Sequence, residues 1–335
     1  MAGLQERPVG VVGGGAWGLA LAHLLATNGY PVVVWDRSAE RVRRLRESRR
    51  DDTRLPGVLL HPDIAYTDSL SDLRGARFHV LVVKSAAVSE VLGRLKGEVR
   101  PERLVSAVKG FVGESLKTVS QAVAEVMPEV TFAVLSGPSI ALEVVKGVPT
   151  SVVVASGDDG FAREVQGAFS GRTFRVYRQD DVLGVELGGA LKNIVAIAAG
   201  VSDGLGFGVN SKGALLTRGL YEMVRFGVSL GAKRETFFGL AGMGDMITTS
   251  FSPNSRNRYV GEQLGKGRKI DEILEGMSMV AEGVRTAFIV REEAKRLGVD
   301  MPITEVVCDI IEGKVSPTDA LGRLMSRPLK REFYV

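Results

Sequence analysis

The sequence predicts a two-domain α/β protein, a mainly parallel sheet with helices on both faces followed by an all-helical half. Three observations predict it. Valine-rich runs alternate with helical segments through the first half, which is the pattern of a parallel sheet. Those runs stop near residue 181, and long stretches of helical period take over. The chain has 335 residues, whereas a single core stops growing near roughly 250–300. The expected domains are 1–180 and 181–335.

The elements follow in order. A strand at 9–12 (VGVV) leads through glycines into an apolar helix ending near 28. Strand PVVVW ends in Asp36, and an arginine-rich helix over 40–50 follows. Strands are then expected at 79–83, 103–108, 131–137 and 150–156, with a last extended segment at 173–179. Helices are expected near 88–96, 114–126 and 158–168. Strands covered on both faces read as valine runs, as these do. Beyond 181 the helical segments are 181–201, 211–226, 230–238, 255–266, 270–276, 282–297, 303–312 and 317–324, joined by glycine-rich turns. Such sheets bind ligands at the carboxyl ends of their strands.

The turn after the first strand reads G-x-G-x-x-G, with Gly13, Gly15 and Gly18 in the three places. Gly13 would allow the tight turn, Gly15 would let the backbone approach a pyrophosphate, and Gly18 would let helix and strand pack closely. Amides at the helix start would then face the phosphates. Asp36 lies at about the expected distance, roughly 20 residues on. A Rossmann-type dinucleotide domain is the expectation.

Composition narrows the rest. The only cysteine, Cys308, lies in an apolar stretch, so no internal disulfide and no cysteine metal site is expected. His23, His61 and His79 are scattered and suggest neither a zinc cluster nor a catalytic triad. No metal is expected. No stretch reads as the roughly 20 apolar residues that span a bilayer, so no membrane insertion is expected. The opening MAGLQERP is too short and polar for a signal peptide, and the cytoplasm is the default. The net charge is +4, and its densest run, ERVRRLRESRR, carries glutamates and reads as a solvated helix face. Nucleic acid is therefore not the expected partner. A mild positive field suits a small phosphorylated substrate.

Five segments hold the candidate chemistry. VELGGALKNIVAIAAG (185–200) is apolar except for Glu186, Lys192 and Asn193. Glu186 suits its helix's dipole. Lys192 is either a lysine that snorkels to water or a proton donor held in a close-packed site, with Gly188 and Gly189 leaving room beside it. Lys109 ends a strand before Gly110, on the ligand side of the sheet. SGPSIA (136–141) offers Ser136, Gly137 and Ser139 as anion donors. GLAGMGDMITTS (239–250) reads as a glycine loop with one acid, Asp245, beside Thr248 and Thr249. SRNR (255–258) supplies Arg256 and Asn257, and arginine is the best phosphate grip.

These segments together resemble the bacterial NAD(P)-dependent glycerol-3-phosphate dehydrogenases over nearly the whole length. The matching motifs are GGGAWG (13–18), VKG (108–110), SGPSIALE (136–143), VELGGALKN (185–193), SDGLGFGVNSKGALLTRGL (202–220), GLAGMGD (239–245), SRNR (255–258), VAEG (280–283) and MPIT (301–304). The resemblance implies a cytosolic enzyme, often a homodimer, that interconverts dihydroxyacetone phosphate and sn-glycerol 3-phosphate and supplies phospholipid synthesis. It implies that Lys192 is the catalytic lysine and that Lys109 touches both substrate and cofactor. Asn193, Asp245 and Thr249 match polar residues around the substrate. Gly137, Ser139, Ser255, Arg256 and Asn257 match its phosphate and hydroxyl contacts. Ala16, Trp17, Arg37, Lys109, Ala141, Arg256, Val280 and Glu282 match the cofactor side.

Two positions depart from the pattern. Many relatives lack an acid where Asp36 stands. An acid there suits the 2′-hydroxyl of NAD and repels the 2′-phosphate of NADP, while Arg37 beside it would reach that phosphate. NAD, or use of both cofactors, is the expectation. Lys84 stands where relatives commonly have proline, near the expected cofactor path. On the residues alone, a related dehydrogenase of phosphorylated or carboxylated hydroxy acids and a cofactor-binding regulator stay open.

Overall fold

Residues 7–277, 281–329 and 331–332 are described by the computed structural model. Valine makes the first strands because a strand with helices on both faces has no polar side to show. The strands are β1 (Val9–Val12), β2 (Val32–Trp35), β3 (Ile64–Thr67), β4 (His79–Leu81), β5 (Arg103–Ser106), β6 (Thr131–Ser136), β7 (Thr150–Ser156) and β8 (Phe174–Gln179). They form one sheet in the order β3-β2-β1-β4-β5-β6-β7-β8. Every pairing is parallel except β6 with β7. The strand order reverses between β1 and β4, and the glycine turn sits at that switch point.

The helices of this half are α1 (Ala16–Thr27), α2 (Ala39–Ser48), α3 (Val88–Arg94), α4 (Val119–Val126), α5 (Ala141–Val145) and α6 (Asp159–Phe169). β3 has no counterpart in the sequence reading, because IAYT carries no valine run. Helix α4 starts five residues later than 114, where Thr118 and Gln121 form a capping box.

The later helices are α7 (Val182–Gly204), α8 (Val209–Ser229), α9 (Arg234–Phe238), α10 (Asp245–Phe251), α11 (Arg256–Gly265), α12 (Ile270–Glu275), α13 (Glu282–Leu297), α14 (Pro302–Ile311) and α15 (Pro317–Met325). The stretch 239–250, expected as a loop, is instead a π-helical turn, Leu240–Gly244, running into α10. Helix α7 corrects another expectation. It is 23 residues long and apolar enough to cross a membrane by length and composition, yet it is buried inside the protein over most of its length.

The chain divides into two compact units. The first is Met1–Ala190 with Gly231–Asp245, and the second is Leu191–Leu230 with Met246–Val335. The division therefore falls inside α7, ten residues beyond 180. The reason is packing: Val185 and Ala241 share an apolar cluster with Val134, Val153 and Ala155 of β6 and β7. In the second unit, α7 and α11 meet backbone to backbone. A Cβ on Gly261 would collide with the carbonyl of Ile197, and one on Gly200 with that of Arg258.

Candidate active site

The first unit holds the glycine turn. Gly13 has φ +121°, and a Cβ there would lie 2.5 Å from the Val82 carbonyl oxygen. A Cβ on Gly18 would collide with the carbonyl oxygen of Gly13. Gly15 differs, since a Cβ there would meet nothing within 4 Å. Packing does not require glycine at 15, but a ligand lying on the backbone would. Gly15 is also the N-cap of α1 and provides no side-chain cap. An open backbone before an uncapped helix is the cradle that a dinucleotide pyrophosphate fits. Ala16, Trp17 and Ala141 pack against the core cluster of this unit. Arg37 and Lys84 are exposed, the latter leading into a short 3-10 turn, Ser85–Ala87.

Asp36 is only 7% exposed. Its Oδ1 accepts from the Ser38 amide at 2.9 Å, and its Oδ2 from Arg41 Nη1 at 2.6 Å. Arg41 Nη2 donates to the Gly14 carbonyl and, at 3.1 Å, to Asp51. By its sequence 40–50 is one solvated face, but Arg41 is 15% exposed where Arg44 is 60%. The available signal was an arginine in the first turn of a helix, where the dipole disfavours a cation unless an acid holds it.

The second feature of the first unit gathers at the carboxyl ends of β5 and β6. Lys109 Nζ donates to Asp245 Oδ2 at 2.7 Å, the Gly137 carbonyl at 2.9 Å and Ser139 Oγ at 3.2 Å. Ser139 Oγ in turn donates to the Gly137 carbonyl at 2.9 Å. Asp245 is buried, whereas Lys109 is half-buried. Four predicted residues thus form one cluster. Gly188 and Gly189 do something other than leave room for Lys192. A Cβ on Gly188 would lie 2.7 Å from the Ala241 carbonyl, and one on Gly189 3.0 Å from Ser136 Oγ. The bareness of Gly188 admits the turn that carries Asp245, and that of Gly189 admits Ser136 and the stem of Lys109.

Glu186 also departs from expectation. Its carboxylate accepts from the Ser120 amide at 2.9 Å and from Ser120 Oγ at 2.5 Å. It therefore caps the start of α4 rather than serving its own helix. Burial pushes its carboxyl above the ordinary range, against the pull of the Ser120 bonds.

The second unit holds the other set. Lys192 is 5% exposed and does not snorkel; its Nζ donates to Thr249 Oγ1 at 2.6 Å. Asn257 Nδ2 donates to Asn193 Oδ1 at 2.9 Å, and the Gly283 amide donates to Asn257 Oδ1 at 3.0 Å. This asparagine relay ties α7 to the starts of α11 and α13, which carry Arg256 and Glu282 as first residues. Arg256 is exposed. The Ser255 hydroxyl accepts from the Arg258 amide at 3.2 Å and caps α11. Val280 lies outside the described residues. Cys308 is buried, and burial pushes its thiol up to about 12, as suits a small hydrophobe.

These features agree with what the chain is similar to. A family profile described as the NAD-dependent glycerol-3-phosphate dehydrogenase N-terminus matches residues 8–162, and its C-terminal counterpart matches 181–322. A glycerol-3-phosphate dehydrogenase [NAD(P)+] of Geobacter sulfurreducens is 49% identical over 334 residues, covering 98% of this chain and 99% of its own. That of Syntrophotalea carbinolica is 46% identical over 333 residues, covering 97% and 99%. The crystal structure of glycerol-3-phosphate dehydrogenase from Coxiella burnetii superposes with a TM-score of 0.91 at 36% identity, covering 96% of this chain and 99% of that one. Matched in both halves and along almost its whole length, the chain belongs to the NAD-dependent glycerol-3-phosphate dehydrogenase family.

Proposed function

We propose that the chain interconverts dihydroxyacetone phosphate and sn-glycerol 3-phosphate with NAD or NADP, an oxidoreductase feeding glycerophospholipid synthesis. Hydride to and from the second carbon of the substrate is the chemistry the nicotinamide supplies when bound. Lys192, as an ammonium, donates a proton to the ketone oxygen as that oxygen gains negative charge. In reverse, neutral Lys192 takes the hydroxyl proton. Thr249 orients its Nζ. Lys109, positioned by its ion pair with Asp245, adds positive charge for the developing oxyanion. Arg256 grips the phosphate, with Gly137, Ser139, Ser255 and Asn257 as the polar surround. That remote grip places the reacting carbon. Asn193 holds the relay that carries Asn257. Gly13, Gly15, Ala16, Trp17, Gly18, Asp36, Arg37, Lys84 and Ala141 are the cofactor residues of the first unit, and the family resemblance adds Val280 and Glu282.

The observation that carries the reading is the Lys109–Asp245 pair at 2.7 Å, on the side of the sheet where such folds bind ligands. A buried acid fixing a half-buried lysine beside a carbonyl and a hydroxyl is a site laid out for a polar substrate. The test is oxidation of NADH and NADPH, in parallel, by dihydroxyacetone phosphate. Ketone-dependent oxidation of either supports the reading. Binding of both cofactors without turnover of this ketone would overturn it. A cytoplasmic homodimer completes the proposal, and light scattering in solution checks the subunit number.

A further inference from the structure

The acid at the end of β2 is the usual discriminator between the two dinucleotides, because a free carboxylate there accepts from a 2′-hydroxyl and repels a 2′-phosphate. Asp36 is not a free carboxylate. One oxygen accepts from the Ser38 amide at 2.9 Å and the other from Arg41 at 2.6 Å. The guanidinium bridges three groups, namely Asp36, the Gly14 carbonyl and Asp51. The fit is close, since a Cβ on Gly14 would lie 2.8 Å from Asp36 Oδ2. Asp51 is itself met by Arg54 at 3.2 Å. Two carboxylates thus face two guanidiniums, and the exposed Arg37 adds a further positive charge beside them. The acid's charge is offset within the chain before any cofactor arrives.

We propose that Arg41 is a specificity-determining residue of the dinucleotide site: by neutralising Asp36 and tying it to the glycine turn, it lets the site accept a 2′-phosphate as well as a 2′-hydroxyl. The inference rests on the dinucleotide reading above. Arg41 acts through Asp36 and the turn, so it is a positioning residue. Its fork geometry is what allows one side chain to hold an acid and a backbone carbonyl together.

The test is calorimetric titration of the full chain with NADH, NADPH and two probes without nicotinamide, 5′-ADP and 2′,5′-ADP. Arg41→Met leaves the buried Asp36 without its counter-charge, so a 2′-phosphate brought to the end of β2 would meet an unneutralised carboxylate. NADPH and 2′,5′-ADP then weaken by about tenfold or more relative to NADH and 5′-ADP. Asp36→Asn shifts the ratio the other way, and the double variant returns it toward the parent value. A purely structural role would weaken all four ligands alike, and that result overturns the inference. If Arg41→Met does not fold, Asp36→Asn decides, and no shift toward NADPH overturns it. If the parent chain binds neither dinucleotide, the dinucleotide reading falls first and this inference with it.

Discussion

Gly15 in the first unit and the paired glycines of α7 and α11 in the second serve opposite ends. In the first unit, the space that a Cβ would take at Gly15 is open, and the turn around it is held by Gly13 and Gly18. In the second, the space at Gly200 and Gly261 is filled by the backbone of the facing helix. One glycine set exposes backbone to a ligand, and the other brings helices together so that side chains can act. A bare position with nothing against it leaves backbone open to a ligand where it begins a helix at the strand ends, as Gly15 does, whereas at Gly93 and Gly213 it is only exposed surface. A bare position with a carbonyl against it points to packing.

The sharpest way to break the comparison is in the helical unit. Lys192→Ala removes the proposed proton donor without touching a glycine contact. The expected loss in kcat is about a thousandfold, with the thermal midpoint and dinucleotide Kd little changed. A variant that keeps turnover within a few-fold would reassign the proton donor. Gly261→Ala is the next largest effect. Its methyl would strike the Ile197 carbonyl, so the helices must part, at a cost of about 3 kcal/mol. The urea midpoint reads this directly. A variant as stable as the parent would show that α7 and α11 can slide.

Gly15→Ala sharpens the same contrast from the other side. The methyl meets no atom of the chain within 4 Å, so stability should stay within about 0.5 kcal/mol. Dinucleotide affinity, read by calorimetry, should fall by about tenfold because the methyl occupies the cradle. Loss of stability with affinity intact would make Gly15 a packing residue like Gly261.

Much of this was legible in the sequence, and the failures share a cause. The valine strands, the glycine turn and a lysine in an apolar stretch are local signals, and they single out Lys192 as well as Lys109 and Asp245, which pair at 2.7 Å. What escaped depends on partners far along the chain. Arg41 looks like its exposed neighbours until Asp36, Gly14 and Asp51 are folded around it. Glu186 looks like a dipole partner for its own helix until Ser120 arrives. Gly188 looks like room for a lysine until Ala241 fills it. β3 escaped because IAYT lacks the continuous apolar run of its neighbours.

A final comparison concerns a buried glutamate in each unit. Glu186 in the first and Glu222 in the second both cap a helix that is not their own. Glu222 is buried in α8, and its carboxylate accepts from the Ile303 amide at 2.6 Å and the Thr304 amide at 3.1 Å. Burial dominates its titration and holds the carboxyl up to about 7, against the pull of those amides and of Arg225. Between the ordinary value of 4.5 and about 7, the folded chain keeps a proton that the unfolded chain has lost. Stability from this group is therefore fully present below the lower value and declines as pH rises through the upper one. Glu222→Gln abolishes that titration. The difference between parent and variant in urea-unfolding free energy should move against the parent by up to about 3 kcal/mol across this window and be flat outside it. A flat difference throughout would mean that the α14 amides fully offset the cost of burying the charge. Glu222 would then be an ordinary ionised cap.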